Sequence, residues 1–169
     1  MRPPSSEYSS GFGHYVALVA EDDVVAAMRG QAEEWHARLG AVTEAQSRFR
    51  YAPGKWSVRE AVGHVIDSER IFAYRALCLA RGEQQALPGF EQDDYAAVAG
   101  HDEVSLAALA SEFASLRASH IRMFEHFTDE AWTTIGIVNG HPTSARAMAY
   151  VLVGHARHHS NVLRDKYGL

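Results

Sequence analysis

Leu106, Leu109, Phe113, Leu116, His120, Phe124 and Phe127 fall at steps of three and four along one stretch of the chain. An apolar row at that spacing lies on one side of an α-helix and forms the seam by which bundle helices pack. This stretch predicts a helix over about 104–127. Three more stretches have helical rather than alternating periodicity. One covers about 22–39, with Val24, Val25, Met28, Trp35 and Leu39 on its apolar side and Gly40 as a stop. The next begins in "KWSVRE", where Ser57 as N-cap and Glu60 three residues on make a capping box. Trp56 is placed to fold over its first turn, and the helix should run to about Arg81 and end at Gly82. The last is capped by Thr143 or Ser144 and reaches about Lys166.

Four amphipathic helices in 169 residues predict an all-α fold, a four-helix bundle occupying residues 1–169 as one domain. The first 20 residues, with Pro, Ser and Gly, read as an irregular arm in which "YVALV" packs on the body. Residues 82–102 read as a long loop between the second and third helices, and loops of that length are usually functional or partly structured. "TTIGIVNGHP" is the one extended piece, with Asn139-Gly140 marking a tight turn.

The net charge of −5 argues against non-specific nucleic-acid binding, which needs clustered Lys and Arg. Cys78 is the sole cysteine, so no intramolecular disulfide can form and a reducing compartment fits. "MRPPSSEYSS" lacks the charged-then-apolar pattern of a secretory signal. No apolar run approaches the roughly 20 residues that span a bilayer. The expectation is a cytoplasmic protein with neither nucleic-acid nor membrane partners.

The chemistry concentrates in "GHARHHSNVL", residues 154–163. Met148, Leu152, His155, His159 and Val162 follow steps of four, three, four and three, so two histidines occupy seam positions. Residues four apart on a helix share a face, with Cβ atoms about 6 Å apart, so both imidazoles can converge on one ion. Such a pair also arises by accident, and packing histidines are the alternative. His158 falls on the flank, between Val151 and Asp165.

A third ligand must come from another helix. His120 lies on the seam of the third helix and is the better candidate by periodicity. His64 falls beside Ala61 and Ser68, off the centre of the arc formed by Val62, Val65, Phe72 and Ala76. His141 precedes Pro142 and reads as a local cap or a solvent-exposed residue; His14, His36, His101 and His126 read as surface or packing residues. Ala156 stands where a zincin needs its glutamate, so peptidase chemistry of that type is not expected.

"EYSSGFGHYVALV", "FRYAPGKWSVREAVGHVIDSERIFAYRAL", "LPGFEQDDY" and "NGHPTSARAMAYVLVGHARHHSNVLRDKY" together resemble the DinB-like superfamily of damage-inducible, YfiT-like bacterial proteins. The resemblance covers nearly the whole chain. It implies a four-helix bundle and a divalent metal held by His64, His155 and His159, choosing His64 over His120. Three neutral imidazoles and a water make an open, catalytic-type site. Relatives include thiol-dependent transferases and an isomerase, which implies a low-molecular-weight thiol acting on a small electrophile, or a hydrolase-like reaction. Imidazole ligands suit Zn or Ni first, with Fe, Mn or Co also accommodated. A non-catalytic stress protein working through dimerisation or partner binding is the alternative, and a homodimer is the expected assembly.

Asp67 and Glu69 are the candidate carboxylates. Asp67 and Ser68 lie one turn from His64 and are placed to orient its ring, an ordinary solvated turn being the alternative. Glu69 falls inside an apolar arc, which calls for pairing with an inward arginine such as Arg146 ahead of acid–base work beside the metal. Cys78 reads as packing. The segment with Phe90, Asp93, Asp94 and Tyr95 reads as a cover over the site.

Overall fold

The computed structural model describes residues 2–169. Eight helices and one hairpin follow in chain order: α1 (Gly13–Ala17), α2 (Val24–Gly40), α3 (Glu44–Ser47), α4 (Val58–Ala80), α5 (Gln92–Ala99), α6 (Leu106–Glu125), α7 (Asp129–Thr133), β1 (Ile135–Val138), β2 (His141–Ser144) and α8 (Ala145–Tyr167). The long helices α2, α4, α6 and α8 form the four-helix bundle.

Each long helix starts on a short polar side chain that satisfies otherwise unpaired amides. Asp23 accepts from the Val25 and Ala26 amides, Ser105 from Ala108 and Ser144 from Ala147. Ser144, rather than Thr143, is thus the cap of α8. The capping box of Ser57 and Glu60 forms as the spacing requires. In the hairpin, Asn139 and Gly140 take φ of 48° and 78°, the left-handed pair of a type I′ turn.

Pairings along the helices fix their directions. Gln31 meets Val153 and Arg38 meets Leu169, so α2 and α8 run the same way. Tyr167 meets Trp56 while His155 meets His64, so α4 runs against α8. Arg59 meets Asp102 and Glu69 meets Arg117, so α4 and α6 are parallel neighbours. Parallel neighbours need a connection that travels back the length of the bundle. This is the physical reason for the long stretch after α4.

That stretch is more ordered than a loop. It starts with Leu87, which bridges Val138 of the hairpin, then forms α5 and a 3-10 turn at His101–Glu103 against α4. None of the α5 residues is buried, so α5 has no apolar stripe to be read from sequence. The N-terminal arm likewise holds two 3-10 turns and α1, with Val16 and Val19 buried in the core.

The interior divides into two apolar clusters. One is built around Met28, Phe72, Phe124 and Met148, the other around Trp35, Val62, Phe113 and Leu163. No helix among the described residues is long and apolar enough to cross a membrane.

Candidate metal centre

His64 lies in the second turn of α4, and His155 and His159 lie one turn apart on α8. The antiparallel run of the two helices brings the three rings together. Ring centroids are 5.0 Å apart for His64 and His155, 4.8 Å for His64 and His159, and 4.5 Å for His155 and His159. The Nε2 atoms of His64 and His155 are 3.1 Å apart. One ring nitrogen from each residue lies within 4.8 Å of the others. Ligands about 2.0–2.1 Å from a tetrahedral ion sit roughly 3.4 Å from each other, so the spacing of the pair fits a shared cation.

Two close approaches cover the triad. A Cβ on Gly154 would lie 2.0 Å from the Tyr15 carbonyl oxygen, so α1 sits on α8 only because residue 154 is glycine. Tyr15 thereby packs edge-on to His155, centroids 5.2 Å apart, and Phe72 does so from α4 at 5.3 Å. A Cβ on Gly63 would lie 2.2 Å from the His101 ring, so the turn at His101 sits directly on α4. Trp56 packs on His64 at 4.8 Å. His64 and His155 are 4% and 3% exposed.

Burial disfavours the imidazolium form. It pushes His64 down to about 4, with Asp93 pulling the other way and His101 and His158 adding to the depression. His155 and His159 are held well below the ordinary histidine value by burial first, then by His159 and His64 in the case of His155 and by His64 and His158 in the case of His159. At neutral pH the site therefore presents three uncharged rings with lone pairs free to ligate. Nothing but imidazole nitrogen contributes to this donor set, which suits a borderline divalent cation.

A cleft of about 300 Å³ opens beside the triad, lined by His64, His155, Tyr15, Phe72, Phe90 and Asp93 among others. A larger cleft of about 1070 Å³, between the start of α2 and the α6–α7 corner, is floored by Phe124, Phe127 and Trp132 and contains none of the clustered histidines. Of the clustered histidines, His64 and His155 therefore line the smaller cavity.

The carboxylates of α4 lie apart from the triad. Asp67 faces Arg70 at 3.4 Å and His101 at 3.8 Å. Between the two carboxylates, Ser68 is buried, and its hydroxyl has no hydrogen-bond partner. Glu69 is buried and held by Arg117 through two hydrogen bonds of 2.7 and 2.8 Å, with His120 Nδ1 at 3.2 Å. Burial opposes the Glu69 charge, but Arg117 and His120 outweigh it and keep the carboxyl below its usual range.

The arginine expected for Glu69 is thus Arg117 and not Arg146, which reaches the arm and pairs with Glu7. His120 belongs to Glu69 rather than to the triad. His158 packs on His159, Tyr15 and His14 outside it. Cys78 packs, half-buried, against the core. Phe90 and Asp93 line the cleft, and the Tyr95 ring packs at a tilt against Phe90, centroids 5.4 Å apart.

Tyr15, Phe72 and Arg75 belong to the site but carry no motif. The available signal is Gly before His at both 63–64 and 154–155, since a glycine inside a helical pattern marks a close approach.

The sequence profile of the DinB superfamily matches residues 22–163, most of the chain and all three histidines. The chain belongs to the DinB superfamily. No curated protein matches it in sequence. Among solved structures, it resembles YfiT from Bacillus subtilis, described as a probable metal-dependent hydrolase with an unusual four-helix bundle topology. The TM-score is 0.70 at 15% identity, over 97% of this chain and 92% of YfiT. It also resembles the mycothiol-dependent maleylpyruvate isomerase, with a TM-score of 0.68 at 13% identity, over 86% of this chain and 61% of the isomerase. This DinB-superfamily chain therefore spans about three fifths of that enzyme's length, and at these identities the likeness is one of fold.

Proposed function

We propose that the protein is a divalent-metal enzyme acting on a small electrophile, with His64, His155 and His159 holding the ion and leaving at least one position open. The observation that carries this reading is the convergence of three neutral imidazoles, two of them, His64 and His155, buried at the wall of a cleft. A cation bound there lowers the pKa of a water or thiol placed beside it towards neutrality. The chain's own residues supply the setting. Tyr15, Phe72 and Trp56 wall the rings off from bulk water and fix their planes. Asp93, at the exposed rim, is the carboxylate closest in influence to His64 and is placed to take up a proton released from the nucleophile. Zn or Ni suits the donor set best, with Fe, Mn or Co accommodated.

The description of YfiT as a probable metal-dependent hydrolase and the mycothiol dependence of the isomerase support hydrolysis and thiol transfer as the two reaction classes to screen. The deciding experiment is elemental analysis of protein purified without a metal-affinity resin, beside a His155→Ala, His159→Ala variant. Roughly one equivalent in the wild type, lost in the variant, is the expected result. No metal in either, even after incubation with Zn or Ni, would leave a bundle that works by association instead.

A further inference from the structure

The face of α4 that carries His64 continues past it. Ser68, Phe72 and Arg75 follow at steps of four, four and three, and all four residues line the cleft beside the triad. Two of them bear polar groups that the fold leaves incompletely partnered. Ser68 is 0% exposed, and its hydroxyl makes no hydrogen bond. Arg75 is 4% exposed, and its guanidinium makes one, from Nη2 to the Pro88 carbonyl at 2.6 Å.

Three arginines are buried among the described residues. Arg59 pairs with Glu44 and Arg117 with Glu69, whereas Arg75 has no ion pair. Its other neighbours are the rings of Phe72 and Phe90, whose centroids lie 6.0 and 5.6 Å from Cζ. Glu91 and Asp93 share the cleft but are exposed at its rim and form no salt bridge with Arg75. Burial lowers the Arg75 pKa and only Tyr95 opposes it, as expected for a charge without a carboxylate beside it. Buried charges are ordinarily paired, so a buried guanidinium without an anion, at the wall of a cleft, is built to meet one that arrives.

Resting on the metal-enzyme reading above, we infer that Arg75 is a specificity residue that receives the carboxylate of a small acid whose reacting end is brought to the histidines. The guanidinium fork matches a carboxylate with two parallel N–H donors, which a lysine cannot reproduce. Ser68, one turn from His64 and two from Arg75, supplies a hydroxyl to a polar atom between them. Phe72 touches both the His155 ring and Arg75, so the ligand is compact: its anionic and reacting ends are separated by about the span of one aromatic ring. The carboxylate belongs either to the electrophile or to the thiol.

The test is binding by calorimetry to the full chain, metal-stripped and Zn-loaded, using two matched pairs of probes. Cinnamate against cinnamamide stands for an acidic electrophile, and 3-mercaptopropionate against its amide for an acidic thiol. In the metal-stripped protein, the acid of at least one pair should bind about tenfold to a hundredfold tighter than its amide. The pair that shows the preference names the source. Arg75→Gln should erase the preference, Arg75→Lys should keep part of it, and Asp93→Asn should strengthen it by removing a rim charge of the same sign as the ligand.

No acid preference with either pair overturns the inference. So does a preference that survives Arg75→Gln, or one present only with Zn, which would mean the carboxylate binds the metal. If Arg75→Gln fails to fold, the reduced preference of Arg75→Lys carries the test. Because the preference is read without metal, its failure is distinct from a failure of the three histidines to bind an ion.

Discussion

Buried Glu69, Arg117 and Gln31, with the half-buried His120, form a cluster in which each group answers another. Arg117 spans the Glu69 carboxylate and the Gln31 amide oxygen, while Gln31 donates to the Val153 carbonyl at 2.9 Å, so all four long helices are joined. His64 and His155, both buried, and the half-buried His159 form a second cluster on the same bundle, and there no carboxylate or carbonyl is among the partners of the converging nitrogens. The first cluster is closed, with opposite charges compensated. The second is open, neutral and short of partners. Burial is tolerable for a charge only when paired, and for an imidazole only when it stays uncharged. The difference separates a structural polar core from a group of residues poised to take something from outside.

The largest expected effect would break the closed cluster. Arg117→Ala leaves Glu69 buried without its cation and should cost about 3–5 kcal/mol in urea unfolding. Replacing both partners, Glu69→Leu with Arg117→Met, should recover most of that loss. Equal losses from the single and double variants would show that the cluster contributes by geometry rather than by compensation.

Acid should strike the open cluster. The folded-state pKa of His64 is about 4, below the ordinary 6.5, so between those values the unfolded chain binds the extra proton and the folded chain does not. Metal-free stability is therefore full above about pH 6.5 and is lost as pH falls towards 4, by about 3 kcal/mol for His64 alone. His155 and His159, depressed in the same direction, steepen the decline. A His64→Phe variant should flatten it, and a flat profile in the wild type would contradict the neutral, buried state of these rings.

Metal should reverse that weakness. With Zn at a hundredfold excess over its dissociation constant, stability at pH 7 should rise by about 2.7 kcal/mol. The rise should vanish in His155→Ala, His159→Ala and persist in His120→Ala, because His120 serves Glu69 instead. A rise lost equally in His120→Ala would mean that the two clusters are coupled.

The same contrast divides what the sequence makes legible from what it hides. The four helices are legible because their caps and apolar seams are local, repeated signals; Ser57 with Glu60 is the clearest. The same logic favours His120, whose seam position faces the interior, where the closed cluster lies. The open cluster lies instead on the α4–α8 face, beneath α1 and the segment after α4; helical period marks His155 and His159 there, but not His64, which sits under the cover and off the centre of its helix's apolar arc. Only the resemblance to a family puts His64 forward. Arg117 escapes a reading of the sequence for a related reason: a charge inside an apolar seam names no partner, and its pairing with Glu69 depends on the parallel course of α4 and α6.

The covers themselves give the smallest and sharpest comparison, between the two glycines that precede ligand-bearing positions. At Gly154 an added methyl meets the Tyr15 backbone, carbonyl oxygen at 2.0 Å and carbon at 2.5 Å, which can yield only if α1 moves. At Gly63 it meets the His101 ring, a side chain whose nearer atoms lie at 2.2 Å but which can rotate away. Alanine adds about 1 kcal/mol of helix propensity at either place, while overpacking costs about 1–3 kcal/mol. Gly154→Ala should therefore be net destabilising and Gly63→Ala close to neutral. The metal readout separates them further. Moving α1 takes Tyr15 off His155, so Gly154→Ala should speed Zn loss to a chelator. Rotating His101 leaves the faces of His155 and His159 covered, so Gly63→Ala should change that rate little. Equal rates in the two variants would mean that Tyr15 is a passive neighbour of the site and not its lid.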